Sequence, residues 1–472
     1  MFSLNTRRLI VILLITIGIV GTRAGWGMAA EPLQAGVAGI DITPPLGAPM
    51  AGYYHPRGAD GLLDPLMSKA LVLKRGETRM ALVVLDVISV TQAITNAARE
   101  KIEEQTSIPG NYVMISATHA HTGPELARRS KRVDDYGGKN KLAVEYTQTL
   151  PDRIAKTVRA AHERLQPVQL KKATGHCENL AYNRRFYMRD GTVGWNPGKL
   201  NPNIVMPAGP TDPEVGILYV EKPGAKGYTQ SVATFVNFAM HPDTTGGSKF
   251  SADWPGALAR VLSAYHGPQH QTLVGNGTCG NLNNYDFFWG WPNKGPGEQN
   301  RIATILGASI FQAYKDLKPV GDEPIRAQRK TVELALPKIT PEEVETARKA
   351  IAQTKDDHGA NFMTLVRSYR ALDVAARNGK PHQVEVQVIT LGNDVAWVSL
   401  PGEVFVELGL AIKKQSPFPH TFVMGVTNDC IGYIPDRRSY AEGNYEPESA
   451  RCAAGSGEKL VDVAVGMLDE LH

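Results

Sequence analysis

Hydrophobic and polar positions follow two alternating periods along this chain of 472 residues. The runs "KALVLKR" (69–75) and "MALVVLDVISV" (80–90) are rich in apolar and β-branched residues, which is typical of buried strands. Between them and the strand-like "YVMISATHAH" (112–121), the segment "AITNAAREKIEEQT" (93–106) has apolar residues at helical spacing. This β-β-α-β order predicts an α/β fold, with a mixed β-sheet core flanked by helices.

The same order continues further along the chain. Helical patterns occupy "YTQTLPDRIAKTVRAAHERL" (146–165) and "WPGALARVLSAYH" (254–266), and apolar strand patterns occupy "VATFVNFAMH" (232–241) and "TLVGNGTCGNLNN" (272–284). Each strand pattern ends in a polar or glycine-rich turn. Such strand ends are where α/β sheets build their binding sites, so we expect the site at these turns.

Residues 340–380 have a different pattern. "TPEEVETARKAIAQ" and "FMTLVRSYRALDVAARNG" are charged and amphipathic, which predicts two helices that form a small arm. Two further strands, "HQVEVQVITLG" and "VAWVSLPGE", and a final helix, "EKLVDVAVGMLDELH", follow the arm. The sequence contains no repeat and no low-complexity linker, so we predict one compact domain over residues 31–472 with a helical insertion at about 340–380.

The first thirty residues have the features of a signal peptide. Arg7 and Arg8 precede the uncharged run Leu9–Val20, and small residues near Ala29 and Ala30 offer a cleavage site. The run is shorter than the about 20 apolar residues that a membrane span needs. We therefore predict that residues 1–30 are removed and that the protein is exported, either periplasmic or secreted, with no transmembrane segment in the mature chain.

Charge and cysteine content narrow the function further. The net charge of +4 includes three arginines and no acidic residue in the first thirty positions, which leaves +1 for the mature chain. This balance does not indicate nucleic-acid binding, and it does not specify an oligomeric state. Cys430 and Cys452 bracket the loop that carries Tyr433, and exported proteins keep disulfides, so we predict a disulfide between them.

Two histidines end the strand pattern at 112–121. Side chains two positions apart on a strand face the same side, so His119 and His121 can both reach one point at the strand end. That geometry suits a metal ion and a catalytic partner. A His-x-His pair alone is more often structural, so further ligands are required.

Three further strand ends offer ligand-type side chains. His241 follows "FVNFAM", Glu403 follows "AWVSLPG", and Tyr433 stands in "NDCIGYIPD". Each also has an ordinary interpretation as a structural residue at a strand terminus. Two known zinc classes fit poorly: Gly123 and Pro124 stand where metallo-β-lactamases carry ligands, and the ordered ligands of amidohydrolase barrels are not found.

The motifs taken in order resemble the catalytic domain of the neutral ceramidases, which are non-lysosomal zinc amidases. The matching segments run from Val37 to the C-terminus: "GVAGIDITPPLGAPMAGY", "GLLDPLMSKALVL", "THAHTGP", "NFAMHP", "LPGE" and "IGYIP…SY…GNYE". The "THAHTGP" and "LPGE" turns are the most specific. The immunoglobulin-like C-terminal domain of that family is not expected here.

The resemblance implies a zinc site at the strand ends, with four ligands: His119, His241, Glu403 and Tyr433. It implies that His121 lies beside the metal as a proton shuttle, and that Arg184 in "YNRRF" reaches the substrate near the reacting carbonyl. Such a site hydrolyses amide bonds of N-acyl, ceramide-like substrates with water activated by Zn²⁺. An esterase or lactonase acting on a sugar or other small ester, or a non-catalytic lipid- or glycan-binding module, are the alternatives.

Four other residues are candidate contacts around the site. Asp253 is expected either to orient a ligand histidine or to cap the following helix. Asn276 and Gly277 form either a backbone nest for an anion or a simple connecting turn. Tyr445, in the last matching motif, is expected beside the substrate. Glu125 stands in a position where ceramidases usually have glycine, which predicts a more polar pocket. Whether the substrate is ceramide, and the protein part of sphingolipid metabolism, is therefore left open.

Overall fold

The first apolar runs form a five-stranded sheet. Alternate residues of its strands face opposite sides: Ala70 and Val72 contact two helices, whereas Leu71 and Leu73 face a second sheet. The strands, in spatial order, are Val113–Ala117, Thr78–Leu85, Met67–Arg75, Gln34–Asp41 and Gln166–Pro167. Only the first two are parallel. The covering helices are Gln92–Thr106 and Lys141–His162.

A second five-stranded sheet packs against the apolar side of the first. Its spatial order is Gln271–Asn276, Thr229–Phe238, Glu214–Pro223, Gln169–His176 and Lys318–Pro319. Only the first two strands are parallel. Helices Asp253–His266 and Pro296–Ala313 cover its outer face. The two sheets with their helices form four layers around a shared apolar core.

A third sheet joins the same core along its edge. Its four strands are Ile325–Leu334, His382–Leu391, Val395–Ser399 and His420–Met424, and only the last pair is parallel. Ile389 and Trp397 face the shared core, whereas Val388 and Val398 pack under helices Val406–Gln415 and Ser456–Leu471. The predicted fold class, a mixed α/β core flanked by helices, is confirmed.

The predicted helical arm is present as helices Pro341–Gln353 and Ala360–Ala375. Thr340 caps the first of them in a capping box with Glu343. The remaining elements are short. The strands are Gly61–Leu62 with Lys249–Phe250, Tyr182–Asn183 with Leu282–Asn283, Glu403–Val404 with Tyr433–Ile434, and the group Val193–Trp195, Arg185–Met188 and Ile204–Pro207. The helical turns are Gly110–Tyr112, Lys131–Val133, Asp134–Gly138, Tyr314–Asp316, Arg437–Glu442 and Tyr445–Ser449.

The computed structural model describes residues 32–224, 228–321, 324–354, 357 and 359–472. Pro32–His472 make up one compact unit. The predicted signal peptide, with Arg7, Arg8 and the apolar run Leu9–Val20, lies outside the described residues. No helix in the described part of the chain is long and apolar enough to span a membrane.

The predicted disulfide is wrong. All four cysteines are described and all are free thiols. Cys452 is buried under the C-terminal helix, where its thiol contacts Tyr440, whereas Cys430 packs against the core of the first sheet. The two thiols belong to different apolar clusters, although they bracket one loop in the sequence.

Candidate metal centre

The C-terminal ends of three parallel strand pairs meet at one point. The first sheet delivers His119 beyond Ala117, the second delivers His241 beyond Phe238, and the third delivers Glu403 beyond Ser399. Backbone and side-chain hydrogen bonds connect the three ends: Asn276 Nδ2 donates to the Thr118 carbonyl at 3.0 Å, and Gly425 N donates to the Asn276 carbonyl at 3.1 Å. The site therefore sits at the junction of all three sheets.

His119 is held by the backbone of the neighbouring strand end. Its φ of 72° is in the left-handed region, which is uncommon for a residue with a Cβ and often marks a functional position. Its amide donates to the Val87 carbonyl at 3.1 Å, and its Nδ1 lies 2.7 Å from the Ile88 carbonyl. Because a carbonyl only accepts, Nδ1 carries the proton and Nε2 presents a lone pair to the centre.

His241 is oriented in the same way from the second sheet. Its Nδ1 lies 2.7 Å from the Cys279 carbonyl and 2.9 Å from the Leu282 carbonyl. Both acceptors belong to the "GNGTCGNLNN" turn, which thus positions the histidine. Nε2 of His241 also presents a lone pair to the centre. Burial and the nearby Arg184 lower the pKa of His241 to about 4, which favours this neutral form.

Glu403 and Tyr433 lie side by side on a short parallel strand pair. Glu403 Oε2 is 3.3 Å from Nε2 of His119 and 3.3 Å from Nε2 of His241. Burial alone raises the pKa of a carboxyl group, but the two histidines outweigh it and hold the pKa of Glu403 well below its usual value. The carboxylate is therefore charged.

The three facing atoms fit a metal ion. Their separations are 3.2 Å between the two Nε2 atoms and 3.3 Å from each to Oε2. A tetrahedral site with bonds of about 2.0 Å has ligand-to-ligand edges of about 3.3 Å. Two lone pairs and a carboxylate this close repel each other unless a cation lies between them. The donor set could therefore hold a metal ion, and the hydrogen bonds that orient the two imidazoles are already in place.

His121 lies next to this triangle. Its Nε2 is 3.4 Å from Nε2 of His119, and the ring nitrogens of His119, His121 and His241 lie within 4.8 Å of one another. Its buried Nδ1 has no hydrogen-bond partner among the described residues, and burial lowers its pKa well below the usual value. Arg57 Nη2 donates to the His121 carbonyl at 2.8 Å and fixes the turn. The imidazole is therefore neutral and unlike the other two, because no carbonyl fixes its tautomer.

Arg184 has a different position from the one predicted. Its Nε donates to Glu446 at 2.7 Å, and its Nη2 donates to the Gly280 carbonyl at 2.6 Å and to the Tyr433 hydroxyl at 3.1 Å. The side chain does not line the cavity in front of the site. Burial raises the pKa of the Tyr433 phenol well above its usual value, and Arg184 opposes that rise. Arg184 thus supports Tyr433 from behind.

The remaining candidates have mostly structural contacts. Asp253 binds the backbone amides of Thr244 and Thr245, both at 2.9 Å, and contacts no histidine. Gly277 donates its amide to the Phe238 carbonyl at 2.9 Å, so the expected anion nest around Asn276 and Gly277 is not formed. Tyr445 lines the cavity, with its ring centroid 5.4 Å from that of Tyr433.

Several site residues were missed from the sequence. Glu446 is fully buried and pairs with both Arg184 and Arg185. Asp243 accepts hydrogen bonds from Tyr53 and Lys294 close to His121. Asp243 could have been found from the sequence, because it stands two residues after the candidate ligand His241. Glu446 gave none, because a buried carboxylate in a polar loop cannot be distinguished from an exposed one.

A cavity of about 890 Å³ opens in front of the centre. His119, His121, Glu403 and Tyr433 lie on its floor, and the arm helix Ala360–Ala375 contributes to its wall. Glu125 does not line it; this buried carboxylate pairs at 3.1 Å with Arg132, which does. The polar group that lines this part of the cavity is therefore Arg132, which Glu125 holds in place.

Residues 33–242 match the family model described as neutral/alkaline non-lysosomal ceramidase, N-terminal. This region, which is less than half of the chain, is similar to the N-terminal part of the neutral/alkaline ceramidases. The resemblance recognised from the sequence motifs is thus confirmed. No curated protein sequence matches the chain.

Two solved structures share the fold over nearly the whole chain. The neutral ceramidase from Pseudomonas aeruginosa superposes with a TM-score of 0.71 at 18% identity, covering 93% of this chain and 75% of that one. A ceramidase complexed with C2 gives a TM-score of 0.69 at 18% identity, covering 93% and 76%. At this identity the likeness establishes the architecture.

Proposed function

We propose that the protein is an exported zinc-dependent hydrolase that cleaves the amide bond of an N-acyl, ceramide-like substrate. The observation that carries the proposal is the triangle of His119, His241 and Glu403, whose donor atoms are 3.2–3.3 Å apart at the junction of three sheets. Export rests on the basic and apolar N-terminal segment before residue 31.

The donor types favour zinc. Two imidazole nitrogens and a carboxylate are common zinc ligands, and the Tyr433 phenol next to Glu403 completes four protein donors. The Arg184 guanidinium next to the phenol favours its ionised form, which is the ligating one. A zinc ion supplies Lewis acidity, which lowers the pKa of water and polarises a substrate carbonyl.

The protein's own residues then have distinct roles in the reaction. His121 lies on the cavity floor, neutral and with its Nδ1 free of protein partners, so it can take a proton from water and give it to the leaving amine. The carbonyls of Ile88, Cys279 and Leu282 hold the other two imidazoles in one tautomer. Arg184, itself held by Glu446, keeps Tyr433 in place.

An esterase acting on a small ester is the second candidate. The observation in its favour is the cavity lining, which is mostly polar and charged. The same proton transfer by His121 serves an alcohol leaving group, which leaves more easily than an amine.

The test is metal analysis of purified full-length protein together with product release. We expect one zinc ion per chain, release of fatty acid from N-acyl substrates, and loss of activity on chelation that zinc restores. Short- and long-chain N-acylsphingosines, set against esters of the same acids, distinguish the two activities. A protein that binds no metal, or binds zinc and turns over neither class, contradicts the proposal.

A further inference from the structure

We infer that the cavity selects a compact substrate that carries a negatively charged group, such as a carboxylate, sulfate or phosphate, close to the bond that is cleaved. The inference rests on the proposed function for the nature of that bond. It concerns the part of the cavity wall that carries the unpaired cations, and the substrate it describes differs from a neutral one with two alkyl chains.

Four cations on this wall have no ion pair within the described part of the chain. They are Arg128, Arg129, Arg377 and Lys380, and all of them line the cavity. The other three cations of the lining are neutralised: Lys131 by Asp135, Arg132 by Glu125 and Arg451 by Asp373. The surplus of positive charge is thus concentrated in one set of side chains.

The acidic side chains of the lining do not balance this surplus. Asp373 is bound to Arg451, Asp134 pairs with Lys139, and Glu403 faces the two histidines. Asp429 is the one acid left among the described lining residues, and its Oδ1 already accepts from the backbone amides of Gln92 and Cys430. Burial raises the pKa of Asp429, which Arg128 and Arg377 oppose. One carboxylate against four cations leaves room for an anion from outside.

Two of the cations are held in place by hydrogen bonds. Arg128 Nη1 donates to Ser89 Oγ at 3.0 Å, and Ser89 follows Ile88, whose carbonyl orients His119. Arg377 Nε and Nη2 donate to the carbonyls of Lys380 and Pro381 at 3.0 and 2.8 Å. Both guanidinium groups are half-buried and keep further N–H donors for a ligand.

Few aliphatic side chains line the cavity. Ile88, Leu372, Ala376 and Ile431 are its aliphatic members, and Tyr54, Tyr433 and Tyr445 add ring surface. Lipid pockets are lined mainly by apolar side chains, since each alkyl chain has to leave water on burial. This cavity therefore matches one short acyl chain and an anionic group better than two long chains.

The experiment compares N-octanoylglycine with N-octanoylglycinamide, which differ only in the charge of the terminal group. For the zinc-loaded protein we expect kcat/KM to favour the carboxylate by on the order of tenfold, and the preference to shrink as salt rises. Arg128→Gln and Arg377→Gln should each lower the ratio of the two kcat/KM values several-fold. Lys315→Gln removes an exposed cation away from the cavity and should leave the ratio unchanged.

Calorimetric binding of the same two compounds separates this inference from the hydrolytic function. Preferential binding of the carboxylate without turnover would support the charged wall and contradict the amidase. Equal kcat/KM for the two compounds, or binding of neither, would overturn the charged wall. A preference that survives when all four cations, Arg128, Arg129, Arg377 and Lys380, are replaced by glutamine would also overturn it, since the metal would then be its source.

Discussion

His119 on the floor of the cavity and His241 beside it are buried, and backbone carbonyls at 2.7 Å hold each of them. On the wall that carries the unpaired cations, Arg128 is fixed by one serine hydroxyl, and Arg377 lies just beyond the end of an arm helix. The floor is built from three strand ends that the core holds in place. The wall is built from a turn and an inserted arm that side-chain hydrogen bonds such as those of Asp373 connect.

We therefore expect the floor residues to determine the reaction and the wall residues to determine which substrate binds. Changing a floor residue disturbs donor atoms that are 3.2–3.3 Å apart, so it should change metal content and kcat. Changing a wall residue leaves the three strand ends intact, so it should change KM and substrate preference. Four variants test the comparison, from the floor outward.

The largest effect is expected for His119→Ala. The variant loses one of the two imidazole donors and the link from the first sheet, so it should retain neither bound zinc nor turnover. Metal content by mass spectrometry and the rate on an N-acyl substrate are measured together. Full zinc content in this variant would show that His119 is not a ligand.

The next largest is expected for His121→Ala. If His121 transfers the proton, the variant should keep its zinc and lose on the order of 10²- to 10⁴-fold in kcat. The same two measurements apply. Because Nε2 of His121 lies 3.4 Å from Nε2 of His119, the geometry also allows it to be a ligand. Equal metal loss in both variants would establish that role, and wild-type activity would make His121 structural.

Arg184→Lys tests the support behind Tyr433. Lysine keeps a charge next to Glu446 but cannot also reach Gly280 and the phenol with a fixed fork, so zinc affinity or kcat should fall about 10- to 100-fold. Arg185→Lys is the matched control, since Arg185 also pairs with Glu446 and does not contact Tyr433. An equal loss in both variants would mean that the effect is on folding.

The floor could be predicted from the sequence because strand periodicity fixes where a strand ends. An apolar run followed by histidine, or by Pro-Gly-Glu, placed His119, His241 and Glu403 at strand ends, and all three meet there. The order of the elements likewise predicted the helices that cover the sheets. These features depend on local periodicity, which one sequence contains.

The direction in which a side chain or a backbone amide points could not be predicted. Arg184 was expected in the cavity, but Glu446, distant in the sequence, draws its guanidinium behind Tyr433. The sequence left open whether Asn276 and Gly277 form an anion nest or a connecting turn, and the Gly277 amide bonds to the Phe238 carbonyl. Cys430 and Cys452 face different cores. In each case the orientation depends on a partner that is distant in the sequence, and a single sequence does not identify that partner.

The smallest effect on catalysis, with a clear effect on stability, is expected for Asp373→Asn on the wall. Asp373 accepts from Arg451 at 2.8 Å, from Ser130 Oγ at 2.9 Å and from the Lys131 amide at 2.7 Å, so it attaches the arm to the turn after the histidines. Asparagine keeps some hydrogen bonds but leaves Arg451 half-buried without its counter-charge. A buried pair that loses one partner costs up to about 3–5 kcal/mol, and the retained contacts should reduce the loss to about 2 kcal/mol.

Because the arm then holds the wall less firmly, KM should rise several-fold while zinc content and kcat change little. Denaturant unfolding and steady-state kinetics measure the two effects. Glu345→Gln is the control on the same arm: its exposed pairs with Arg348 and Lys349 should contribute at most about 0.5 kcal/mol. A loss of zinc in Asp373→Asn would show that the wall and the floor are coupled. Wall residues would then affect the reaction as well as the choice of substrate.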